Sequence, residues 1–186
     1  PLNPEAGIYR PITTASFIIN YSIFGDSPLS FRMVNILLNG LVTFLVFLLV
    51  YRLTNNKNLA YLTFFIFSFL PIHTEVVAFI KSRDEILSLL FVLLSLLAFT
   101  KNKMILSSLY FLLAILSKEA ALMVPLIILY IFISQNGFRF NEVLKRGAYY
   151  IPSFLIFALL RFRALGEYAF GNNETFFVYN PLKFVG

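Results

Sequence analysis

The sequence predicts an all-α fold, a polytopic transmembrane helical bundle of about six spans with an amphipathic helix on the outer surface ahead of them. Three observations predict it. The 186 residues are 59% hydrophobic and only 13% charged, with a mean hydropathy of +0.82, more apolar surface than a soluble domain of this length buries. Seven stretches of 14 to 19 residues carry no Asp, Glu, Lys, Arg or His, each between charged or turn-forming residues. Lipid leaves backbone groups only helices or closed barrels, and the connections between these stretches alternate in charge as a spanning chain requires.

Pro1 to Arg10 read as the end of an outer loop. From Pro11 to Phe24, Thr13, Ser16 and Asn20 recur at i, i+3 and i+7, one narrow polar stripe. Ile12, Phe17, Ile18 and Tyr21 occupy the remaining surface, which suits a helix lying along the outer membrane surface. Gly25-Asp26-Ser27-Pro28 then breaks the chain.

Six spans are expected from the charge-free stretches Met33 to Tyr51, Asn58 to Ile72, Ile86 to Thr100, Met104 to Ser117, Ala120 to Phe138 and Gly147 to Leu160. A span needs roughly 20 residues to cross about 30 Å of hydrocarbon, so these extend into their charged flanks. The first carries Arg32, Asn35, Asn39 and Thr43 on one stripe, better explained by hydrogen-bonded helix packing than by a ligand. Pro125 and Pro152, each six residues into its stretch, resemble the interruptions of transporter helices. From Ala164 to Gly186 the composition turns polar. The expected organisation is one transmembrane domain over 1–186: loop end and interfacial helix at 1–24, spans at 25–163, outer loop at 164–186. The chain opens on Pro1-Leu2-Asn3-Pro4 without methionine or a signal-like segment, and an excerpt of a longer protein is expected.

The basic residues Arg52, Lys57, Lys101, Lys103, Arg139, Lys145 and Arg146 fall in alternate connections, opposed there by Glu142 alone. That side is expected to be cytoplasmic, and the net charge of +6 then reflects topology and not nucleic-acid binding. The other eight of nine carboxylates lie on the outer side among eight cations, which is where chemistry is expected. No cysteine is present, which excludes disulfides and thiolate sites, and one histidine cannot make a multi-histidine metal centre. A divalent metal held by carboxylates is still allowed. Asn20-Tyr21-Ser22 and Asn173-Glu174-Thr175 fit the N-glycosylation pattern.

The outer cluster offers Glu75, Asp84 and Glu119 as candidate catalytic carboxylates. Arg10, His73, Arg83, Lys118, Arg161 and Arg163 are the candidate substrate contacts. Arginine forks and lysine point charges bind phosphate oxygens, and a carboxylate can accept a proton from an attacking hydroxyl. Glycosyl transfer from a lipid phosphate needs both. Plainer roles compete: Glu75 and Asp84 pairing with Lys81 and Arg83 in a solvated loop, His73 capping a helix end, Arg161 and Arg163 anchoring a helix at the headgroups. Lys118-Glu119, in a short turn between apolar stretches, has fewer plain partners.

Tyr9-Arg10-Pro11-Ile12-Thr13, Phe31-Arg32-Met33-Val34-Asn35, Pro71-Ile72-His73-Thr74-Glu75 with Ser82-Arg83-Asp84, and Leu116-Ser117-Lys118-Glu119 follow one another in an order that resembles one group. It is the transmembrane-and-tetratricopeptide-repeat O-mannosyltransferase-like proteins of the GT-C glycosyltransferase superfamily. Arg161 to Gly166 and Asn180-Pro181-Leu182 continue the resemblance. It implies a GT-C-like membrane enzyme that moves a mannose-like sugar from a polyprenyl-phosphate carrier to a protein hydroxyl on the non-cytoplasmic side. It also places the main catalytic acid in an outer loop before the Tyr-Arg-Pro element, hence before Pro1 unless Glu5 belongs to it, and tetratricopeptide repeats after Gly186. Leu70 stands where the group has a histidine before the proline. The expected partners are the polyprenyl-phosphate sugar, a protein acceptor and the lipid bilayer, without nucleic acid. The bacterial cytoplasmic membrane is expected ahead of the endoplasmic reticulum. The alternative from another class is a transporter or flippase of a lipid-linked or anionic substrate, since intramembrane charges also mark substrate pathways.

Overall fold

The computed structural model describes residues 9–70, 79–137 and 139–166. All regular structure among them is helical. The helices are α1 (Pro11–Phe24), α2 (Pro28–Thr54), α3 (Lys57–Phe69), α4 (Arg83–Thr100), α5 (Met104–Ser117), α6 (Val124–Asn136), α7 (Phe140–Ala148) and α8 (Ile151–Leu165). Tight 3₁₀ turns at Ile80–Ser82 and Glu119–Met123 lead into α4 and α6. Residues 10–157 make one compact unit, and Tyr9 with 158–166 are the described part of a second.

The breaks follow local chemistry. Pro11 and Pro28 open α1 and α2 at positions whose N–H would have no helical partner. Gly25 ends α1 at φ 69° and ψ −161°, a conformation reserved for glycine. Asn55 closes α2 in the left-handed region at φ 51°, and the next residue opens α3, the Asn56 side chain accepting from the Leu59 N–H at 3.2 Å. Asn102, at φ 56°, makes the turn between α4 and α5.

Within the unit α4 is central, packed on α5, α2 and α6, with α3 against α2 and α1 across α2, α4 and α5. Nearly every side of α4 is covered, including Ile86, Leu90, Leu93, Leu96 and Phe99. The surrounding helices turn large apolar side chains outward instead, among them Leu37 at 70% exposure, Phe69 at 80% and Tyr130 at 74%. A water-soluble monomer seldom turns so many large apolar side chains outward; helices in lipid do.

Among the described residues Pro28–Thr54 and Phe140–Leu165 are long and apolar enough to cross a membrane. The second of these includes the break between α7 and α8. Met104–Ser117 and Glu119–Gln135 are apolar but shorter. A 13-residue helix such as α3 is about 20 Å long, less than the roughly 30 Å of a hydrocarbon core. The all-helical class is thus present, and the count of six spans is not established by helix length.

Several expected boundaries shift. Arg83, Asp84 and Glu85 are not in a loop but form the first turn of α4, where carboxylates are favoured by the helix dipole. Arg139 to Arg146 is mostly the amphipathic helix α7 and not an open loop. Pro125 and Pro152 are each the second residue of a helix, where proline fits without a kink, and the changes in the helical run come just before them, at the end of the Glu119–Met123 turn and at Tyr149 and Tyr150. The stripe Thr13, Ser16 and Asn20 on α1 faces protein, with Thr13 and Asn20 buried, while Ile18, Ile19 and Phe24 are exposed. That is the reverse of a surface helix that turns its polar stripe to water, and hydrogen bonds to neighbouring helices account for it.

Candidate functional site

Three chain segments far apart in sequence meet at the end of the unit that holds the first turn of α4. Arg10 immediately precedes α1, Asp84 and Glu85 belong to α4, and Lys118 and Glu119 follow α5. Thr13 Oγ1 donates to the Ser117 carbonyl at 3.2 Å, pinning the start of α1 against the end of α5. With that anchor in place, Arg10 reaches both carboxylates. Its Nε and Nη2 donate to one oxygen of Glu119 at 3.2 and 3.1 Å, and its Nη1 pairs with Asp84. The other oxygen of Asp84 accepts from the Glu85 backbone N–H at 2.9 Å. Beside this bridge Lys118 Nζ pairs with Glu85 at 2.6 Å.

The two pairs differ in setting. Asp84 is buried and Arg10 and Glu119 are partly covered, whereas the Glu85 side chain is half exposed. Among the described residues two cations and three carboxylates give the cluster a formal charge of −1. Below Lys118 and Glu85 a groove of about 430 Å³ runs between α4 and the Glu119–Met123 turn with α6. Its walls, Leu89, Val92, Val124 and Ile127, are apolar.

Arg83 does not join this cluster. Its side chain is fully buried and points into the joint between α1, α2 and α4. Nε donates to Asn35 Oδ1 at 2.7 Å, and Nη2 donates to Asn20 Oδ1 and to the Phe31 carbonyl, both at 2.9 Å. Nη1 reaches the Ser16 carbonyl at 3.4 Å. The guanidinium lies 4.5 Å from the centre of the Phe17 ring and 5.5 Å from that of Phe31, a favourable cation–π geometry. Among the described residues no carboxylate pairs with it.

The expected site residues therefore separate. Arg10, Asp84, Lys118 and Glu119 come together, and Glu85 joins them. Arg83 is turned inward, and Asp84 pairs with Arg10 in place of Arg83. Lys81 is exposed. Arg161 and Arg163 are on the last turns of α8, half-buried and exposed respectively. His73 and Glu75 lie outside the described residues. No group of three His, Cys, Asp or Glu among the described residues could hold a metal ion. Sequence reasoning passed over Asn20 as the side-chain partner of Arg83, although its place on the α1 stripe carried the signal; Ser16 contributes its backbone carbonyl, which no side-chain pattern marks. Asn20 is buried and hydrogen-bonded, which removes it as a glycosylation acceptor in the folded protein.

A family model described as dolichyl-phosphate-mannose-protein mannosyltransferase matches residues 11–162. The chain is 35% identical over 141 residues to the protein O-mannosyl-transferase F38B6.6 of Caenorhabditis elegans, covering 73% of this chain and 20% of that protein. It is 36% identical over 95 residues to the mouse protein O-mannosyl-transferase TMTC3, or 51% of this chain and 10% of the relative. Against the human protein O-mannosyl-transferase TMTC1 the figures are 37% over 95 residues, 50% and 11%. The chain thus spans between a tenth and a fifth of the length of these relatives. All three come from animals, which gives no support to a bacterial membrane over the endoplasmic reticulum. No solved structure matches the chain.

Proposed function

The chain belongs to the dolichyl-phosphate-mannose-protein mannosyltransferase family, and on that premise we propose that it is the membrane part of a protein O-mannosyltransferase using a polyprenyl-phosphate sugar. In this reading α2, α3, α4, α5, α6 and α8 are six spans. Their basic turns are cytoplasmic, and the Arg10–Asp84–Glu119 bridge opens to the other side. The observation that carries it is the convergence of Asp84 and Glu119 on one guanidinium beside an apolar groove, in a chain of this family.

The chemistry asks for three things. The bond between sugar C1 and the phosphate oxygen breaks, the acceptor hydroxyl oxygen bonds to C1, and its proton passes to a carboxylate while the polyprenyl phosphate leaves. The groove beneath Lys118 suits the greasy carrier, and Lys118 would exchange Glu85 for the phosphate. Asp84 and Glu119 suit the acceptor side, because carboxylates repel a phosphate and can take the hydroxyl proton. Arg161 and Arg163 are kept as candidate phosphate contacts, and Glu75 and His73 as candidate vestibule residues, on the family resemblance alone. Arg10 acts as a positioning residue for the two carboxylates.

The test is transfer of radiolabelled mannose from its polyprenyl phosphate to protein, in membranes containing the full-length protein. Asp84→Asn and Glu119→Gln should each collapse transfer at equal protein level. Unchanged transfer in both would remove these carboxylates from the site. No transfer by the unaltered protein with any polyprenyl-linked sugar would favour the transporter reading.

A further inference from the structure

At the opposite end of α5 from Lys118 and Glu119, two adjoining cavities of about 500 and 470 Å³ share Ile105 and Tyr149. Together they form one groove along the first turns of α5, bounded by the end of α7 and the start of α8. Its walls are apolar: Ile105, Leu109 and Pro152 line it, and Ile105 is 78% exposed. The polar floor is already satisfied, since Ser108 Oγ bonds the Tyr149 carbonyl at 2.6 Å and Ser153 Oγ at 2.7 Å.

Among the described residues two cations stand in this lining, Lys145 in the first cavity and Lys103 in the second, and no carboxylate does. Neither lysine has an ion-pair partner among the described residues. Glu142, the single acid in the basic connections, is 3.9 Å from Arg146. Arg146 itself is drawn inward, over the Phe132 ring at 4.7 Å and onto Asn102 Oδ1 at 3.2 Å. The groove thus has an apolar lining with one lysine in each of its two cavities, neither of them paired among the described residues.

We propose that this groove binds an anionic phospholipid, its headgroup on Lys103 and Lys145 and an acyl chain along Ile105, Leu109 and Pro152. Charge complementarity selects an anionic occupant, and the apolar walls select a lipid over a soluble anion. Basic pockets between helices at the cytoplasmic membrane face hold acidic headgroups in this way. A 14-residue α5 is about 20 Å long, so the groove is separate from the carrier groove at the other end. The proposal takes from the proposed function only the membrane setting, not the transfer activity.

Native mass spectrometry of the full-length protein in detergent tests it, with palmitoyl-oleoyl phosphatidylserine titrated against the matching phosphatidylcholine. Phosphatidylserine is expected to be retained about thirtyfold more tightly, each lysine contributing about fivefold. The double variant Lys103→Gln/Lys145→Gln should lose that preference. Lys101→Gln, on the adjacent turn but outside the lining, should keep it. Equal retention of the two lipids would overturn the proposal, as would a preference that survives the double substitution. Retention is read by mass, so neither result depends on whether the protein transfers a sugar.

Discussion

Arg10 and Glu119 are 109 positions apart, yet Nε and Nη2 of the arginine both lie within 3.2 Å of one Glu119 oxygen. The third reaching nitrogen of the same guanidinium holds Asp84. A planar fork sharing donors between two carboxylates fixes both in angle as well as distance, and it ties the entry of α1 to the start of α4 and the end of α5.

Arg10→Ala should reduce mannosyl transfer about a hundredfold, the scale of a misplaced catalytic group, with a smaller loss in thermal stability of about 2 kcal/mol. Arg10→Lys should be intermediate, since an ammonium keeps the charge and loses the fork. Steady-state transfer rates at saturating donor, beside thermal midpoints in detergent, separate the two effects. Equal rates for Arg10→Ala and the unaltered protein would remove the positioning role.

Arg83 and Asn35 give a prediction of opposite sign. Asn35 Oδ1 accepts from Arg83 at 2.7 Å, but Asn35 Nδ2 is buried without a partner. Asn35→Asp replaces that orphan donor with a carboxylate oxygen and places a carboxylate beside a cation that has none among the described residues. It should raise stability by about 2 kcal/mol, the scale of a charge-assisted bond to a buried cation. Arg83→Met should lower it by about 3–5 kcal/mol, because it strands Asn20, Asn35 and two carbonyls at once. Melting curves of both variants decide this, and a destabilised Asn35→Asp would mean that the amide has a partner.

The Lys118–Glu85 pair should matter little for folding and much for the donor. Half-exposed pairs contribute about 0–1 kcal/mol, so Lys118→Met and Glu85→Gln should both melt near the unaltered protein. Their donor KM values should move apart. Lys118→Met raises KM by loss of the phosphate contact, whereas Glu85→Gln lowers it by releasing Lys118 from its competitor. Parallel shifts in the two variants would assign the pair a purely structural role.

Helix class and most boundaries were legible because charge-free stretches and turn residues mark them: Asn55-Asn56 and Lys101-Asn102-Lys103 fall where the chain breaks. The convergence of Arg10 with Glu119 was not legible, since it depends on how α1 crosses α5, a relation that no periodicity encodes. The inward turn of Arg83 was half legible. Asn35 read correctly as a packing residue, but nothing in the sequence said that its partner is an arginine and not another amide. That Arg83 and Asp84 face different ways was hidden for a related reason. A helix beginning at Arg83 sends consecutive side chains about 100° apart, whereas a loop would have left both free to face the same vestibule. Span length was the least legible, because α3, α5 and α6 stop short of the bilayer thickness, and no charge-free stretch says where its helix ends.

Ser95 and Ser107 set how closely α4 approaches α5, and through α5 they bear on the site. Each hydroxyl donates to the other residue's carbonyl at 2.8 Å, both are fully buried, and Ser107 Oγ also meets Tyr150 Oη at 2.7 Å. Small polar residues of this kind let membrane helices pack backbone to backbone. Ser107→Ala keeps the volume small and should cost about 0.6–2 kcal/mol with transfer nearly intact. Ser107→Leu forces the helices apart, costs about 1–3 kcal/mol, and displaces the α5 end that carries Lys118 and Glu119. Transfer should therefore fall in Ser107→Leu by more than its remaining folded fraction explains, measured as rate per monodisperse protein. A fall matched by lost protein alone would leave α5 as a scaffold with no influence on the geometry of the cluster.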